Sequence, residues 1–236
     1  AYMDSGGNAA NVVQAKATIR HLIRASNSME LRALVERVYK IADGAALMTE
    51  TSVEKNVYSG VSNLLGNEPL EDLMQDEFEK LGPVIFDQDD KDFANKIRST
   101  LNESDILDSF QRIGMKAPLD MPLCDFVASL NNESNGGIGS TDVGDVSWVV
   151  PTVQARVATC AVGTPFHTWQ TVAQGKAPAA HKGMIHAAKI MAATASSLIK
   201  NPQKLDNAKK SFKTEIKENP YICPIPNGVM PPILKE

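Results

Sequence analysis

The 236 residues carry 24 Lys and Arg against 28 Asp and Glu, a formal net charge of -4, with the basic residues dispersed among the acidic ones, which argues against a nucleic-acid partner. Three cysteines, Cys124, Cys160 and Cys223, form no Cys-x-x-Cys pair, so the sequence offers no zinc ribbon and fits a reducing, cytoplasmic compartment. No apolar run approaches the roughly 20 residues that span a bilayer, so no membrane partner is expected, and the length allows two domains, each with its own core.

The chain opens with Ala1-Tyr2-Met3-Asp4-Ser5-Gly6-Gly7, without an initiator methionine, and runs almost at once into a patterned segment. That is the expectation for a longer protein cut inside a domain. From Val12 to Arg24 the pattern has period two, with Val13, Ala15, Ala17, Ile19, His21 and Ile23 on one face, and it predicts a half-buried strand. Ser26, Asn27 and Ser28 offer caps for a helix through Leu31, Leu34, Val35, Val38, Ile41 and Ala42, closed by Gly44. A second strand is predicted over 52–61. Together these elements suggest a small α+β sandwich over residues 1–62, and the turn formers from Asn63 to Pro69 mark the start of a second domain, 63–236.

In that domain Leu70, Leu73, Met74, Phe78 and Leu81 predict one helix, ended by Gly82-Pro83. Phe93, Ile97 and Leu101 predict another, and Ile106, Leu107, Phe110 and Ile113 a third. Residues 115–139 read as a long loop, and long loops inside a domain are usually functional. Val153, Ala155, Val157, Thr159 and Ala161 predict a strand suited to a buried sheet. The Ala-rich segment 179–200 predicts a helix with Met184, Ile185, Ala188, Met191, Ala195 and Leu198 inward, and a last helix follows over 203–217 before a proline-rich tail.

Two stretches bear chemistry. Gly139-Ser140-Thr141-Asp142-Val143-Gly144-Asp145 could offer backbone N–H groups to a carboxylate, because glycines let main chain approach a ligand closely. In it Asp142 and Asp145 read either as simple turn residues or as groups that shape the loop or orient His167. His167 itself follows the apolar segment and sits between Phe166 and Trp169; a neutral imidazole there suits a metal, and a lone histidine is equally a packed or exposed residue. His181 and His186, five apart on one helix, do not share a face and read as surface or packing residues, and His21 reads as core. There is no Gly-x-Ser-x-Gly elbow, phosphate-binding loop or dinucleotide fingerprint.

These stretches, with Asn11-Val12-Val13, Ile23-Arg24, Gly44-Ala45-Ala46-Leu47-Met48-Thr49, Val146-Ser147-Trp148 and Lys182-Gly183-Met184-Ile185-His186-Ala187-Ala188, resemble the metal-dependent amidohydrolase and exopeptidase family that includes aminoacylases and acyl-diaminopimelate hydrolases. The resemblance implies an α/β fold: part of a zinc-exopeptidase-like catalytic domain over 63–236, and the C-terminal part of a ferredoxin-like lid that also dimerises over 1–62. It implies hydrolysis of the amide of N-acyl or N-aroyl amino acids such as p-aminobenzoyl-glutamate, in a homodimer, with zinc or another divalent metal (Mn, Co). Under it His167 is a metal ligand, and Asn11, Arg24 and Gly139 bind substrate. The family's other ligands and its general-base glutamate lie in a half not matched here, so this chain alone is expected to be inactive and to bind no metal. The alternative expectation is a non-catalytic dimerisation or ligand-binding module derived from such an enzyme.

Overall fold

The computed structural model describes residues 1–111, 115, 119–130 and 139–230. The elements in chain order are β1 (Tyr2–Asp4), β2 (Thr18–Arg20), α1 (Ser28–Thr49), α2 (Glu68–Leu81), α3 (Gln88–Arg98), α4 (Glu103–Gln111), α5 (Val143–Ser147), α6 (Trp169–Gln174), α7 (Pro178–Lys200) and α8 (Pro202–Glu218). Ile113 and the 116–118 and 131–138 parts of the expected long loop lie outside the described residues. Among those described, no helix is long and apolar enough to cross a membrane.

The chain divides into two compact units. The first comprises Ala1–Leu64, Thr141–Asp145 and Ile222–Glu236. In it β1 pairs antiparallel with β2, Met3 opposite Ile19, and this is the whole ladder among the described residues. The strand expected over 12–24 therefore shrinks to three residues, because a strand persists only where another backbone takes its N–H and C=O groups. Its apolar face is not buried: Val13 is 97% exposed, and His21 is exposed rather than core. Residues 52–61 form no strand either. They are tied by side chains instead, Lys55 to Asp43 at 2.7 Å and over the Tyr39 ring at 5.4 Å, and Tyr58 under Arg20 at 5.3 Å.

Asn27 caps α1, its side chain accepting from the Glu30 N–H at 2.9 Å. The helix runs through Gly44 to Thr49 and ends where Glu50 turns left-handed (φ 55). Gly44 permits an end without forcing one, and the good helix formers Ala45, Ala46, Leu47 and Met48 carry the helix onward. None of its residues is buried.

The second unit comprises Leu65–Ser140 and Val146–Tyr221. Here α2 packs on α7 and α8, and α7 on α8. Asn67 starts α2 and does two jobs: its Oδ1 accepts from the Leu70 N–H, and its Nδ2 donates to the Ala208 carbonyl in α8 at 3.0 Å. A core of Val84, Phe86, Ala94, Ile97, Leu123, Ala161 and Ala179 lies beside α3, with Val157 and Ala158 packed against it. Asp87 and Asp90 close a capping box on α3, and Lys182 of α7 bridges both carboxylates, which locks α7 to the start of α3.

The inner face of α7 differs from expectation. Ala179, Gly183, Ile190 and Thr194 are buried, whereas Met184, Ile185, Ala188, Met191 and Ala195 are exposed. An Ala-rich helix is apolar nearly all round, so hydrophobicity alone does not say which stripe is inside. Close approach decides it: a Cβ on Gly183 would lie 2.2 Å from the Ala158 carbonyl oxygen, so only glycine admits that backbone.

Glu77 of α2 is buried and accepts from Lys80 at 2.8 Å and from the Ser197 hydroxyl of α7 at 2.9 Å. These two hydrogen bonds, the Lys80 ammonium first, hold its carboxyl below the ordinary value of 4.5 against the opposing effect of burial. A carboxyl that releases its proton more readily folded than unfolded contributes stability above that value and loses it as pH falls through the folded-state value. Glu77→Gln is therefore expected to flatten the acid limb of a urea-unfolding stability profile taken from about pH 7 to about pH 3. An acid limb as steep as that of the wild type would remove Glu77 from this role.

Candidate functional site

The path to His167 begins at the segment 153–162. It makes no ladder among the described residues, although Val153, Ala155 and Val157 are half-buried and Gln154 and Arg156 exposed, as the period-two pattern requires. The Ala158 carbonyl sits against Gly183, and the Val162 N–H donates to the Pro122 carbonyl at 2.9 Å. The chain then turns at Gly163 (φ 91), where a Cβ would fall 2.7 Å from the Ile106 side chain and 2.8 Å from its Cα, so this turn too is reserved for glycine.

His167 follows in the left-handed region (φ 64), and apart from Glu50 no other described non-glycine residue has positive φ. Thr168 then caps α6, its hydroxyl oxygen accepting from the Thr171 N–H at 3.4 Å. Both threonine hydroxyls donate to the Pro165 carbonyl at 2.7 Å. The one sequence signal for this arrangement is Thr168 itself, a favoured N-cap residue. His167, Phe166 and Trp169 are all exposed, so neither flanking aromatic residue buries the imidazole among the described residues.

The glycine-rich acidic stretch is open at its start and packed further on. Gly139 and Ser140 are exposed and irregular, and α5 begins at Val143. Gly144 brings main chain against protein, not ligand: a Cβ there would lie 2.1 Å from the Ser62 carbonyl oxygen. Asp145 uses both carboxylate oxygens on Ser62, accepting from its N–H at 3.2 Å and its hydroxyl at 2.8 Å. Asp142 is exposed.

The sequence candidates are distributed over both units. Asn11 lies in the turn between β1 and β2, and Arg24 in irregular chain after β2; both are exposed and belong to the first unit, with Asp142 and Asp145. Gly139 and His167 belong to the second. Among the described residues no group of three or more His, Cys, Asp or Glu could hold a metal ion, so His167 is one donor and not a site in itself. His186 packs its ring 6.4 Å from Phe78 with Nε2 buried and without a hydrogen-bond partner, and His181 is exposed, in line with packing and surface roles.

The chain is 39% identical, over 245 aligned positions that cover all of it, to one of the subunits of p-aminobenzoyl-glutamate hydrolase from Escherichia coli (strain K12). This chain is a relative of that hydrolase. The resemblance read from the motifs thus extends from end to end, and the chain spans about half (51%) of the length of that protein. No family model matches the chain, and no solved structure matches it.

The backbone at His167 can be tested separately from its chemistry. A left-handed conformation is tolerated by Asn and is strongly unfavourable for a β-branched residue. His167→Asn is expected to unfold within about 0.5 kcal/mol of the wild type, and His167→Val to lose about 1–2 kcal/mol. Equal losses in urea unfolding would show that the imidazole packs and that the backbone carries no strain.

Proposed function

We propose that this chain is about half of a metal-dependent amidohydrolase that cleaves the amide bond of N-acyl or N-aroyl amino acids, p-aminobenzoyl-glutamate among them. The observation that carries the reading is end-to-end similarity to part of a hydrolase named for that substrate. The presentation of His167 supports it, since an exposed imidazole on a tightly hydrogen-bonded loop is available to a metal or substrate. Arg24 supplies a planar fork suited to a substrate carboxylate, Asn11 further hydrogen bonds, and Gly139 an exposed backbone position.

In this reading His167 is the metal ligand that the chain contributes, to zinc or to Mn or Co. The described residues do not complete a metal site. The remaining ligands and the general base are placed outside them, and the chain alone is proposed to be inactive. The relative is one subunit of its hydrolase, and we assign assembly as a homodimer to the first unit. Exposed Met29, Ile41, Leu47 and Met48 on α1, a helix with no buried residue, support that assignment.

The test is His167→Ala in the full-length protein, with p-aminobenzoyl-glutamate as substrate. The variant is expected to lose at least about 100-fold in kcat/KM and to bind about one metal equivalent fewer, with the unfolding midpoint little changed. Wild-type activity and metal content in the variant would return His167 to a non-catalytic loop and favour a binding module.

A further inference from the structure

Gln174, the last residue of α6, is only 3% exposed although its side chain is a polar amide. Its hydrogen bonds account for that burial. Oε1 accepts from the Ala161 N–H at 2.7 Å, and Nε2 donates to the Thr164 hydroxyl oxygen and to the Gln170 carbonyl, each at 3.0 Å. The Thr164 hydroxyl in turn donates to the Ala161 carbonyl at 2.7 Å. One amide therefore joins three places: the chain entering the loop, the loop itself, and the body of α6.

A second tie to the entering limb, at Pro165, comes from the N-terminal end of the chain segment that forms α6. Thr168 and Thr171 both donate to the Pro165 carbonyl. His167 lies between the two limbs, in a conformation that a non-glycine residue keeps only when its surroundings over-determine it. Relaxation to an ordinary negative φ would turn the backbone by more than about 100° and aim the imidazole elsewhere. Without Gln174, the Ala161 N–H and the Thr164 hydroxyl lose a buried partner, and the entering limb is left tied to α6 only at Pro165, which loosens it towards that change.

We infer that Gln174 is a positioning residue for His167: its buried amide holds the loop in the conformation that presents the imidazole. The inference rests on the proposed role of His167. It adds that the orientation of His167 is set from α6.

The experiment uses the full-length protein hydrolysing p-aminobenzoyl-glutamate, with Gln174→Met, Gln174→Glu, His167→Ala and the core control Ile97→Val. Gln174→Met keeps the volume and removes all three hydrogen bonds, whereas Gln174→Glu keeps the acceptor for Ala161. The expected result is a fall of at least about tenfold in kcat for Gln174→Met, with KM within about threefold and a smaller fall for Gln174→Glu. Ile97→Val is expected to lower the unfolding midpoint and keep the wild-type kcat, which separates positioning from general destabilisation. If Gln174→Met does not fold, the outcome for Gln174→Glu decides alone. Wild-type kcat and KM in the Gln174 variants, with His167→Ala inactive, would overturn the inference and leave the proposed function standing. Activity in His167→Ala would overturn the site reading and the inference together.

Discussion

The approach of the Ala158 carbonyl to Gly183 is the constraint on which the second unit turns. A 2.2 Å distance to any Cβ at position 183 means that the segment 153–162 can lie under α7 only because that helix has a side-chain-free notch there. From that notch follow the docking of Val157 and Ala158 on the core, the burial of Ala161 and Ala179, and the place at which the chain turns towards His167. Lys182, one residue before the notch, holds the same turn of α7 to the two carboxylates at the start of α3. The segment, the helix and the core are thus registered at one level, and the loop with His167 inherits its position from that registration.

That loop shows how a rigid scaffold can present a residue in an unfavourable conformation. Two glycine-only contacts, at Gly163 and Gly183, fix the main chain on the approach, and hydrogen bonds from α6 hold Ala161 and Pro165 just before the histidine. Strain confined to one residue is tolerable when a buried, fully partnered network surrounds it.

The helices are legible in the sequence because their signals are local. Asn27 is a cap that the sequence offers, and the stripe of Leu70, Leu73 and Met74 marks the buried face of α2, whereas the caps Asn67, Asp87 and Thr168 emerge only in the fold. Strands are not legible in the same way, because alternation at Val13 to Ile23 or Val153 to Ala161 reports which side chains could be buried and says nothing about the backbone that must pair with them. The face of α7 misleads for the reason that makes it adaptable: Met184 and Met191 look as inward as Ile190 until the notch at Gly183 is known. At the candidate site His167 is legible by type and by resemblance. Gln174 is not, because a glutamine near a helix end looks like surface, and only its 3% exposure in the folded chain marks it as structural. Asp145 is a candidate by sequence, and in the fold it accepts from Ser62.

In the proposed hydrolase this chain supplies one histidine to the metal, and the other ligands come from elsewhere. Anomalous diffraction at the zinc absorption edge from crystals of the full-length, zinc-loaded protein tests that division most directly. An anomalous peak is expected about 2.0–2.1 Å from an imidazole nitrogen of His167, with the other ligands drawn from polypeptide beyond this chain. A bound zinc elsewhere, with the His167 imidazole in solvent, would contradict it.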